Sequence, residues 1–238
     1  MPVRPLLLLV ALLCHQLTIA QETRQVYLSG TDKDHTIQWD FFCSAGRNSG
    51  RWTNIAVPSN WEQQGFGAYN YGHDKIKADE YGIYRDRFQS PANPGNNAVF
   101  LVFDGVMTDA AVKVNGKSAG EVHQGGFYQF RYDISKLLKK DSNLLEVTVH
   151  KMSANASVNR AERNGDFWIL GGIYRPVYLE IKPRTHIERV SIDAAADGRF
   201  RIKAFTTPLP AGCTLTAEVQ TMDGKPLKSA AVFQNSKD

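Results

Sequence analysis

The stretch Leu145-Glu146-Val147-Thr148-Val149 alternates apolar and polar side chains, and it decides the fold class of this chain. A period of two places every second side chain on the same side, which is the pattern of a β-strand with one buried face. Val112-Lys113-Val114 and Phe200-Arg201-Ile202-Lys203-Ala204 repeat this pattern on either side of it. Half-buried strands are therefore expected along much of the chain.

Turn signals separate the expected strands. Residues that tolerate the positive φ of tight hairpins occur at Asp104-Gly105, Asn115-Gly116, Asp197-Gly198 and Asp223-Gly224. Only Ile134 to Lys139 has a briefly helical pattern, with Asp133 or Ser135 able to cap it. Many short strands with little helix predict an all-β fold, either a sandwich or a jelly roll.

The first twenty residues have the features of a signal peptide. Arg4 is followed by an apolar stretch from Leu6 to Leu13, and small residues precede a cleavage point after Ala20. The apolar stretch is shorter than the roughly 20 residues that cross a bilayer, so no membrane span is expected. Residues 1–20 are predicted to direct export to the periplasm or the extracellular space, with lipid attachment at Cys14 as a weaker alternative.

A proline break divides the remaining chain. Lys182-Pro183-Arg184 ends one series of strands and a new series follows, so residues 21–183 and 184–238 are predicted to be separate domains. An immunoglobulin-type sandwich needs about 100 residues and seven strands, and the second domain is much shorter than this. It is expected to be incomplete. Cys43 and Cys213 fall in different domains and are expected to be separate thiols.

The charge pattern excludes several classes of function. The formal net charge is +4, and the Lys and Arg residues are scattered among acidic residues. A nucleic-acid binder concentrates such residues on one stripe, so no nucleic-acid partner is expected. The Cys, His and acidic residues have no metal-ligand spacing, so neither a metal nor another cofactor is expected.

Three stretches together resemble the N-terminal sugar-binding domain of family 2 glycoside hydrolases, the family of bacterial β-galactosidases and β-glucuronidases. The stretches are Val57-Pro58-Ser59-Asn60-Trp61-Glu62 with Gly65-Phe66, the region from Phe103-Asp104-Gly105-Val106 to Asp133-Ile134-Ser135, and Asp166-Phe167-Trp168 with Gly171-Gly172-Ile173-Tyr174-Arg175-Pro176-Val177. The resemblance implies a galactose-binding-like jelly-roll sandwich over residues 21–183. It also implies a partial immunoglobulin-like sandwich over residues 184–238.

In complete members of this family a (β/α)₈ barrel follows and carries two catalytic glutamates. Retaining hydrolysis needs two carboxyl groups about 5–5.5 Å apart across the scissile bond. The family's acid/base glutamate follows an asparagine, and no Asn-Glu dipeptide occurs in this chain. The resemblance therefore implies the non-catalytic front part of a secreted retaining β-glycosidase. It would position a β-linked oligosaccharide beside a missing C-terminal catalytic barrel, and the full-length parent could be a homo-oligomer.

Asp166 and Trp168 are the first candidates for carbohydrate binding. A saccharide site combines planar apolar rings with groups that accept hydrogen bonds from hydroxyls. By resemblance to β-galactosidases, Asp166 would reach into the active site of the barrel. Two alternatives remain open at this point, namely that Asp166 only caps the turn into Gly171-Gly172 and that Trp168 belongs to the core.

A second candidate segment contains Asn70, Tyr71 and His73, because the corresponding loop of β-galactosidases supplies an asparagine to the active site. His73 falls near the position of that asparagine, so strict β-galactoside specificity is not implied. Gly171 and Gly172 are expected to adopt a backbone conformation closed to residues with a Cβ. Arg175 is expected to lock this turn through bidentate hydrogen bonds.

Two other readings of the whole chain remain. A stand-alone carbohydrate-binding module or lectin could use the same jelly roll, since one fold hosts many functions. A degenerate remnant without activity is the third. A complete second domain and measurable sugar affinity in isolation would favour the module.

Overall fold

The computed structural model describes residues 23–92, 97–213 and 215–226. The predicted signal peptide, including Cys14, lies outside these ranges. The described residues fall into two compact units that meet in sequence between Arg184 and Thr185. No helix in these ranges is long and apolar enough to cross a membrane.

Fifteen strands and one short helix, α1 (Ala156–Glu162), are described. In chain order the strands are β1 (Arg24–Tyr27), β2 (Ile37–Cys43), β3 (Trp52–Val57), β4 (Asn70–Tyr71), β5 (Tyr81–Gln89), β6 (Asn97–Phe103), β7 (Asp109–Val114), β8 (Lys117–Ser118), β9 (His123–Gln124), β10 (Phe130–Asp133), β11 (Ser142–His150), β12 (Trp168–Ile169), β13 (Val177–Pro183), β14 (Ile187–Ala194) and β15 (Phe200–Thr206). The all-β prediction is confirmed.

Two antiparallel sheets form the body of the first unit. The larger sheet has the order β3-β2-β5-β11-β7-β8, with β9 also paired to β7. The smaller sheet has the order β1-β13-β6-β10. Neighbouring strands in these sheets are often distant in sequence, as expected for a jelly-roll-like sandwich rather than a series of hairpins.

The core of the first unit is built from the inward faces of both sheets. In β11 the residues Leu145, Val147 and Val149 are buried, and the residues between them are partly exposed. They belong to one cluster of buried side chains with Tyr84 of β5 and Leu101 of β6. Burial of each large apolar side chain contributes about 1.5–3 kcal/mol, so this alternation is the main source of stability.

The prediction of a short helix over Ile134 to Lys139 is wrong, because this segment forms a turn. Ile134 is fully buried, and its N–H donates to the Val99 carbonyl at 2.9 Å, which continues the strand pairing of β10. A turn follows, in which the carboxylate of Asp133 accepts from the Ser135 N–H at 2.9 Å. The requirement to bury Ile134 against the core therefore overrides the local helical pattern.

Helix α1 was not predicted from the sequence. Its N-cap is Asn155, whose side chain accepts a hydrogen bond from the Ser157 N–H at 2.9 Å. This contact satisfies one of the free N–H groups at the start of the helix. The helix is only seven residues long, so the apolar repeat that would reveal it is barely developed.

The second unit contains the hairpin of β14 and β15. Ile192 lies opposite Ile202 and Val190 lies opposite Ala204, so the apolar residues share one face. Asp193 pairs with Arg201 on the other face. These are the two strands that the described part of this unit contains, and the immunoglobulin-like domain stays a prediction.

Candidate functional site

A two-stranded ribbon brings the two candidate segments of the sequence together. Strand β4 pairs with β12, which places Tyr71 opposite Trp168 and Asn70 opposite Ile169. The Gly72 N–H extends the ribbon by donating to the Phe167 carbonyl at 2.8 Å. Residues almost one hundred positions apart in the chain therefore form one local surface.

Three aromatic side chains on this ribbon or directly before it form a cluster that we call the aromatic platform: Tyr69, Tyr71 and Trp168. The ring centroids of Trp168 lie 5.8 Å from Tyr69 and 5.4 Å from Tyr71, both edge to face. Trp168 is 59% exposed and Tyr69 is 46% exposed. Trp168 therefore does not belong to the core, and its ring is available to solvent.

Asp166 lies at the edge of the aromatic platform. Its carboxylate is exposed and accepts a hydrogen bond from the Tyr71 hydroxyl. This hydrogen bond raises the pKa of Tyr71, because the phenol donates to a charged acceptor. The described hydrogen bonds of Asp166 connect it to Tyr71 rather than to the turn at Gly171-Gly172. The carboxylate is thus held beside the rings, and no hydrogen bond among the described residues engages its second oxygen.

The other two candidates of the first segment differ in their surroundings. His73 is exposed, with its ring centroid 6.0 Å from that of Tyr71. Asn70 is buried, and its side-chain oxygen accepts from the Ala78 N–H at 2.9 Å while its amide group donates to Asp74 and Ile76 at 3.4 Å. The structure therefore places Asn70 inside the loop as a support, whereas His73 lies at the surface.

A buried ion cluster holds the loop beneath the platform. Lys151 is 0% exposed, and its ammonium lies 2.9 Å from a carboxylate oxygen of Glu62 and 3.0 Å from one of Glu80. It also donates to the Ala68 carbonyl at 2.5 Å. Both carboxylate oxygens of Glu62 in turn share one bifurcated hydrogen bond from the Gly171 N–H, at 3.0 and 3.1 Å. These contacts tie the loop before the platform to β5, β11 and the turn after β12.

The charge state of the ion cluster depends on burial. Desolvation raises the pKa of Glu62, and the neighbouring Lys151 ammonium opposes that rise. The Gly171 N–H opposes it further. Breaking one partner of a buried ion pair leaves the other charge uncompensated, so this cluster is expected to be sensitive to substitution.

Arg163 connects the helix to the same region. It is buried, and its guanidinium donates to the Leu170 carbonyl at 3.1 Å and to the Thr108 hydroxyl. Burial lowers the pKa of Arg163 to about 10. The Lys77 ammonium donates to the Arg163 carbonyl at 2.8 Å, which joins the loop after β4 to the segment before β12.

The two glycines after β12 have different reasons to be glycine. Gly172 has φ +119, a left-handed conformation that side chains rarely adopt. At Gly171 a Cβ would lie 2.1 Å from the indole ring of Trp61, so close approach excludes a side chain there. Arg175 is exposed and makes one long hydrogen bond, 3.5 Å to the Asp104 carbonyl. The expected bidentate lock by Arg175 is not among the described contacts.

The three stretches that carry the resemblance meet in space. The Ser59 N–H donates to the Ile173 carbonyl at 2.8 Å, and the Trp61 N–H donates to the Gly171 carbonyl at 3.1 Å. Met107 exchanges two backbone hydrogen bonds with Gly172. The motif residues are therefore structurally coupled, and together they support the turn that follows the aromatic platform.

The profile described as "Glycosyl hydrolases family 2, sugar binding domain" matches residues 47–183, more than half of the chain. The chain belongs to glycosyl hydrolase family 2. The resemblance inferred from the three stretches is confirmed. The sugar-binding domain of the family covers the whole aromatic platform, the ion cluster and Arg163.

Individual relatives agree with this family. A β-galactosidase of Thermoanaerobacter pseudethanolicus is 33% identical over 144 residues, which cover 58% of this chain and 19% of that protein. A putative β-glucuronidase of Formosa agariphila is 28% identical over 177 residues, covering 71% of this chain and 20% of that protein. The family 2 chain thus spans about a fifth of the length of these curated relatives.

A solved structure shows the same fold. The crystal structure of a putative β-galactosidase from Bacteroides fragilis aligns with a TM-score of 0.60 and 23% identity. The alignment covers 86% of this chain and 32% of that chain. At this identity the likeness supports the sandwich fold alone.

Sequence reasoning missed the groups that hold the site in place. Lys151 was not singled out, although it continues the inward phase of its strand after Val149. That phase was a usable signal for its burial. Arg163 had no comparable signal, because α1 is too short to define a face.

Proposed function

We propose that this chain is the non-catalytic, substrate-positioning front part of a secreted retaining β-glycosidase, and that the aromatic platform with Asp166 contacts the saccharide. The observation that carries the proposal is the exposed Trp168 ring next to a carboxylate held by Tyr71. Both lie within the family's sugar-binding domain. His73 stands at the rim of this surface.

The chemistry of the platform suits a β-linked oligosaccharide. The faces of sugar rings that carry C–H groups pack against aromatic rings, and the hydroxyls need acceptors. The Trp168 ring supplies the first contact and the Asp166 carboxylate supplies the second. Because Tyr71 already donates to Asp166, that carboxylate is oriented before a saccharide arrives, which lowers the entropic cost of binding.

We assign hydrolysis itself to another part of the full-length β-glycosidase, the parent protein to which this chain would belong. Glu62 and Glu80 lie near each other, since both contact Lys151, but neither is more than 2% exposed. A substrate cannot reach them, and a retaining mechanism needs two carboxyls facing each other across the bond. The catalytic pair would come from a C-terminal barrel, for which this chain forms one wall.

Several features of the parent belong to the same proposal. Residues 1–20 would direct export to the periplasm or the outside of the cell. Residues 21–183 would form the sugar-binding jelly roll, and residues 184–238 would form part of an immunoglobulin-like domain. The parent would act on β-galactosides or related β-glycosides and could do so as a homo-oligomer.

Two measurements test the proposal. The purified chain should not release the dye from aryl β-galactosides or β-glucuronides, and turnover above a mock preparation would refute the assignment of catalysis to another domain. Saccharide binding to the chain alone should be weak, and Trp168→Ala and Asp166→Asn should each reduce it. Tyr128→Ala, which removes an exposed aromatic ring between β9 and β10, serves as the control. Equal saccharide binding by all three variants would show that the aromatic platform does not contact the saccharide.

A further inference from the structure

The larger sheet opens into a groove between β2 and β5. The described pairing of these strands runs from Cys43 opposite Gly82 to Asp40 opposite Arg85 and ends there. Beyond that point β2 stays paired with β3, and β5 stays paired with β11. The two strands therefore diverge, and they leave a groove of about 410 Å³ that we call the split groove.

The split groove is lined by charged and apolar side chains together. Its lining residues are Gln38, Trp39, Asp40, Arg85, Asp86, Arg87 and Leu144. Trp39 and Asp86 are at positions that point toward the sandwich interior, so they form the floor, and the alternate residues form the walls. A second hollow of about 310 Å³ shares Asp40 and Arg85 with the first and adds Trp52, Thr53 and Asn54. The two hollows are neighbours, since both are lined by Asp40 and Arg85, and each falls within the size range of small-molecule sites.

Some polar groups of the split groove are already engaged. The Arg85 guanidinium donates to Glu146 at 2.8 Å and lies 4.1 Å from the centroid of the Trp52 ring. One oxygen of Asp40 accepts from the Asn54 amide at 3.1 Å. The Trp39 indole N–H donates to the Leu28 carbonyl, and this side chain is 1% exposed, so Trp39 closes the floor of the groove and offers no hydrogen-bonding group.

Asp86 is the group that lacks a matching partner. Among the described residues no ion pair neutralises its carboxylate at the floor of the groove. Burial raises the pKa of Asp86 to about 6, and the Asp40 carboxylate adds to this rise, while the Arg87 N–H opposes it. A half-buried carboxylate of this kind gains most from a ligand that donates hydrogen bonds to it.

The geometry favours a saccharide as that ligand. A hydroxyl is both a donor and an acceptor, so neighbouring sugar hydroxyls match a wall that presents carboxylates and guanidinium groups side by side. Trp52 lies at one end of the groove and is 44% exposed, so its ring can contact the C–H groups of a sugar. An extended peptide fits less well. The groove is closed where Asp40 pairs with Arg85, and a peptide could not continue as a strand beyond that point.

The split groove is not a hydrolytic site. Asp40 lies directly opposite Arg85, and Asp86 is the next residue along β5. Asp40 belongs to the wall of the groove and Asp86 to its floor, so their carboxyls do not face each other across the groove. The two carboxyls therefore cannot flank one glycosidic bond.

We propose that the split groove is a second saccharide-binding site, distinct from the aromatic platform, in which Asp86 and Asp40 accept hydrogen bonds from sugar hydroxyls and Trp52 contacts the ring. The loop that follows Tyr69 and Tyr71 leads into β5 at Glu80. Asp86 lies six positions further along, so about 20 Å of extended strand lies between the end of that loop and the split groove. The site binds and does not react, and its existence does not depend on the role proposed for the platform.

Fluorine NMR of the full chain labelled with 5-fluorotryptophan tests this site. The chain has four tryptophans, of which Trp39 and Trp52 line the groove and Trp168 belongs to the platform. Titration with lactose, cellobiose and chitobiose, three β-linked disaccharides, should shift the Trp39 or Trp52 signal with at least one sugar. Asp86→Asn should weaken that response about tenfold, as expected when a charged hydrogen-bond acceptor is lost.

Matched variants make the outcome clear. Lys113→Ala, on the same sheet but outside the groove, should leave the titration unchanged, and Gln38→Ala at the groove wall provides a second test if Asp86→Asn folds poorly. Trp39 and Trp52 signals that no disaccharide moves would overturn the proposal, as would an equal response in Asp86→Asn or Gln38→Ala. A response to an unrelated peptide but to none of the sugars would overturn it as well. The Trp168 signal reports on the platform separately, so the two proposals can fail independently.

Discussion

Replacing Lys151 with methionine is expected to lower the free energy of unfolding strongly at neutral pH and only slightly at pH 5. Methionine keeps an unbranched chain of similar length but removes the ammonium. Glu62 then loses a contact of 2.9 Å, Glu80 loses one of 3.0 Å, and the Ala68 carbonyl loses its donor. Both carboxylates lie in the interior, where water cannot replace the lysine.

The size of the effect follows from the protonation of Glu62. The ordinary pKa of this group is 4.5, and burial already raises it against the opposing effect of Lys151. Without the lysine, Glu62 can avoid an unpaired buried charge by binding a proton, which costs at most about 3 kcal/mol at pH 7, because each pKa unit corresponds to about 1.4 kcal/mol and the raised pKa already costs the unmodified chain part of this amount. The lost hydrogen bond to Ala68 adds about 1 kcal/mol. The upper limit of about 4 kcal/mol lies within the roughly 3–5 kcal/mol found when buried ion pairs are broken.

The pH dependence has a definite sign. A carboxyl whose pKa is raised in the folded state contributes its full stability below the unfolded value, and this contribution is lost as the pH rises through the folded value. At pH 5 protonation of Glu62 costs less than about 1 kcal/mol, so the total destabilisation should fall to about 1–2 kcal/mol. Urea unfolding followed by tryptophan fluorescence, at pH 5 and pH 7, measures both numbers.

Two comparison variants isolate the ion cluster. Lys113→Met removes an exposed lysine from the same sheet and should change the stability by less than about 0.5 kcal/mol. Combining Lys151→Met with Glu62→Gln should recover part of the loss at pH 7, since the uncompensated charge is removed with its partner. The reasoning would be refuted by a loss that is equal at both pH values, or by a double variant no more stable than Lys151→Met.

Three further substitutions test other parts of the structure. Asp86→Asn should stabilise the chain by about 1–2 kcal/mol at pH 7 and have little effect near pH 4. Burial raises the pKa of Asp86 from 3.8 to about 6, so the stability linked to this carboxyl is present below about pH 4 and is lost as the pH rises through 6. The full shift corresponds to about 3 kcal/mol, and we reduce this figure because Asp86 is half exposed to solvent. Urea titrations at the two pH values would contradict this if Asp86→Asn gave the same change at both. Gly171→Ala should cost about 1–3 kcal/mol, since its Cβ would overlap the Trp61 ring, and a melting temperature equal to that of the unmodified chain would disagree. Asn155→Ala removes the N-cap of α1 and should cost about 1 kcal/mol in the same unfolding assay, whereas Asn155→Asp should retain most of the stability.

The fold class could be predicted from the sequence because strand periodicity is a local property. The alternation over Leu145 to Val149 identifies β11 and its inward face without knowledge of any neighbour. The same phase, continued by two residues, places Lys151 inside as well. What it did not indicate is that two glutamates from other parts of the chain would share that lysine.

Local patterns failed where the core imposed its own requirement. Ile134 to Lys139 has a helical pattern, but Ile134 is needed in the core and the segment forms a turn instead. Arg175 belongs to a motif that resembles the family, yet its contact with Asp104 is long and single. The arginine that does tie the site together, Arg163, lies outside every motif that the sequence indicated.

The amino-acid sequence by itself determined that the chain is built of strands, where the proline break falls and which family its motifs resemble, since each of these depends on residue order over short distances. Only the tertiary structure decided that Tyr71 and Trp168 share one surface, that Asn70 lies inside its loop, and that β2 and β5 separate at Asp40. The shared surface and the separation of β2 and β5 depend on strands about 50 to 100 positions apart, whose pairing is set by the packing of the whole core. Asn70 is held by nearby residues of its own loop, but the conformation of that loop has no repeating pattern in the sequence.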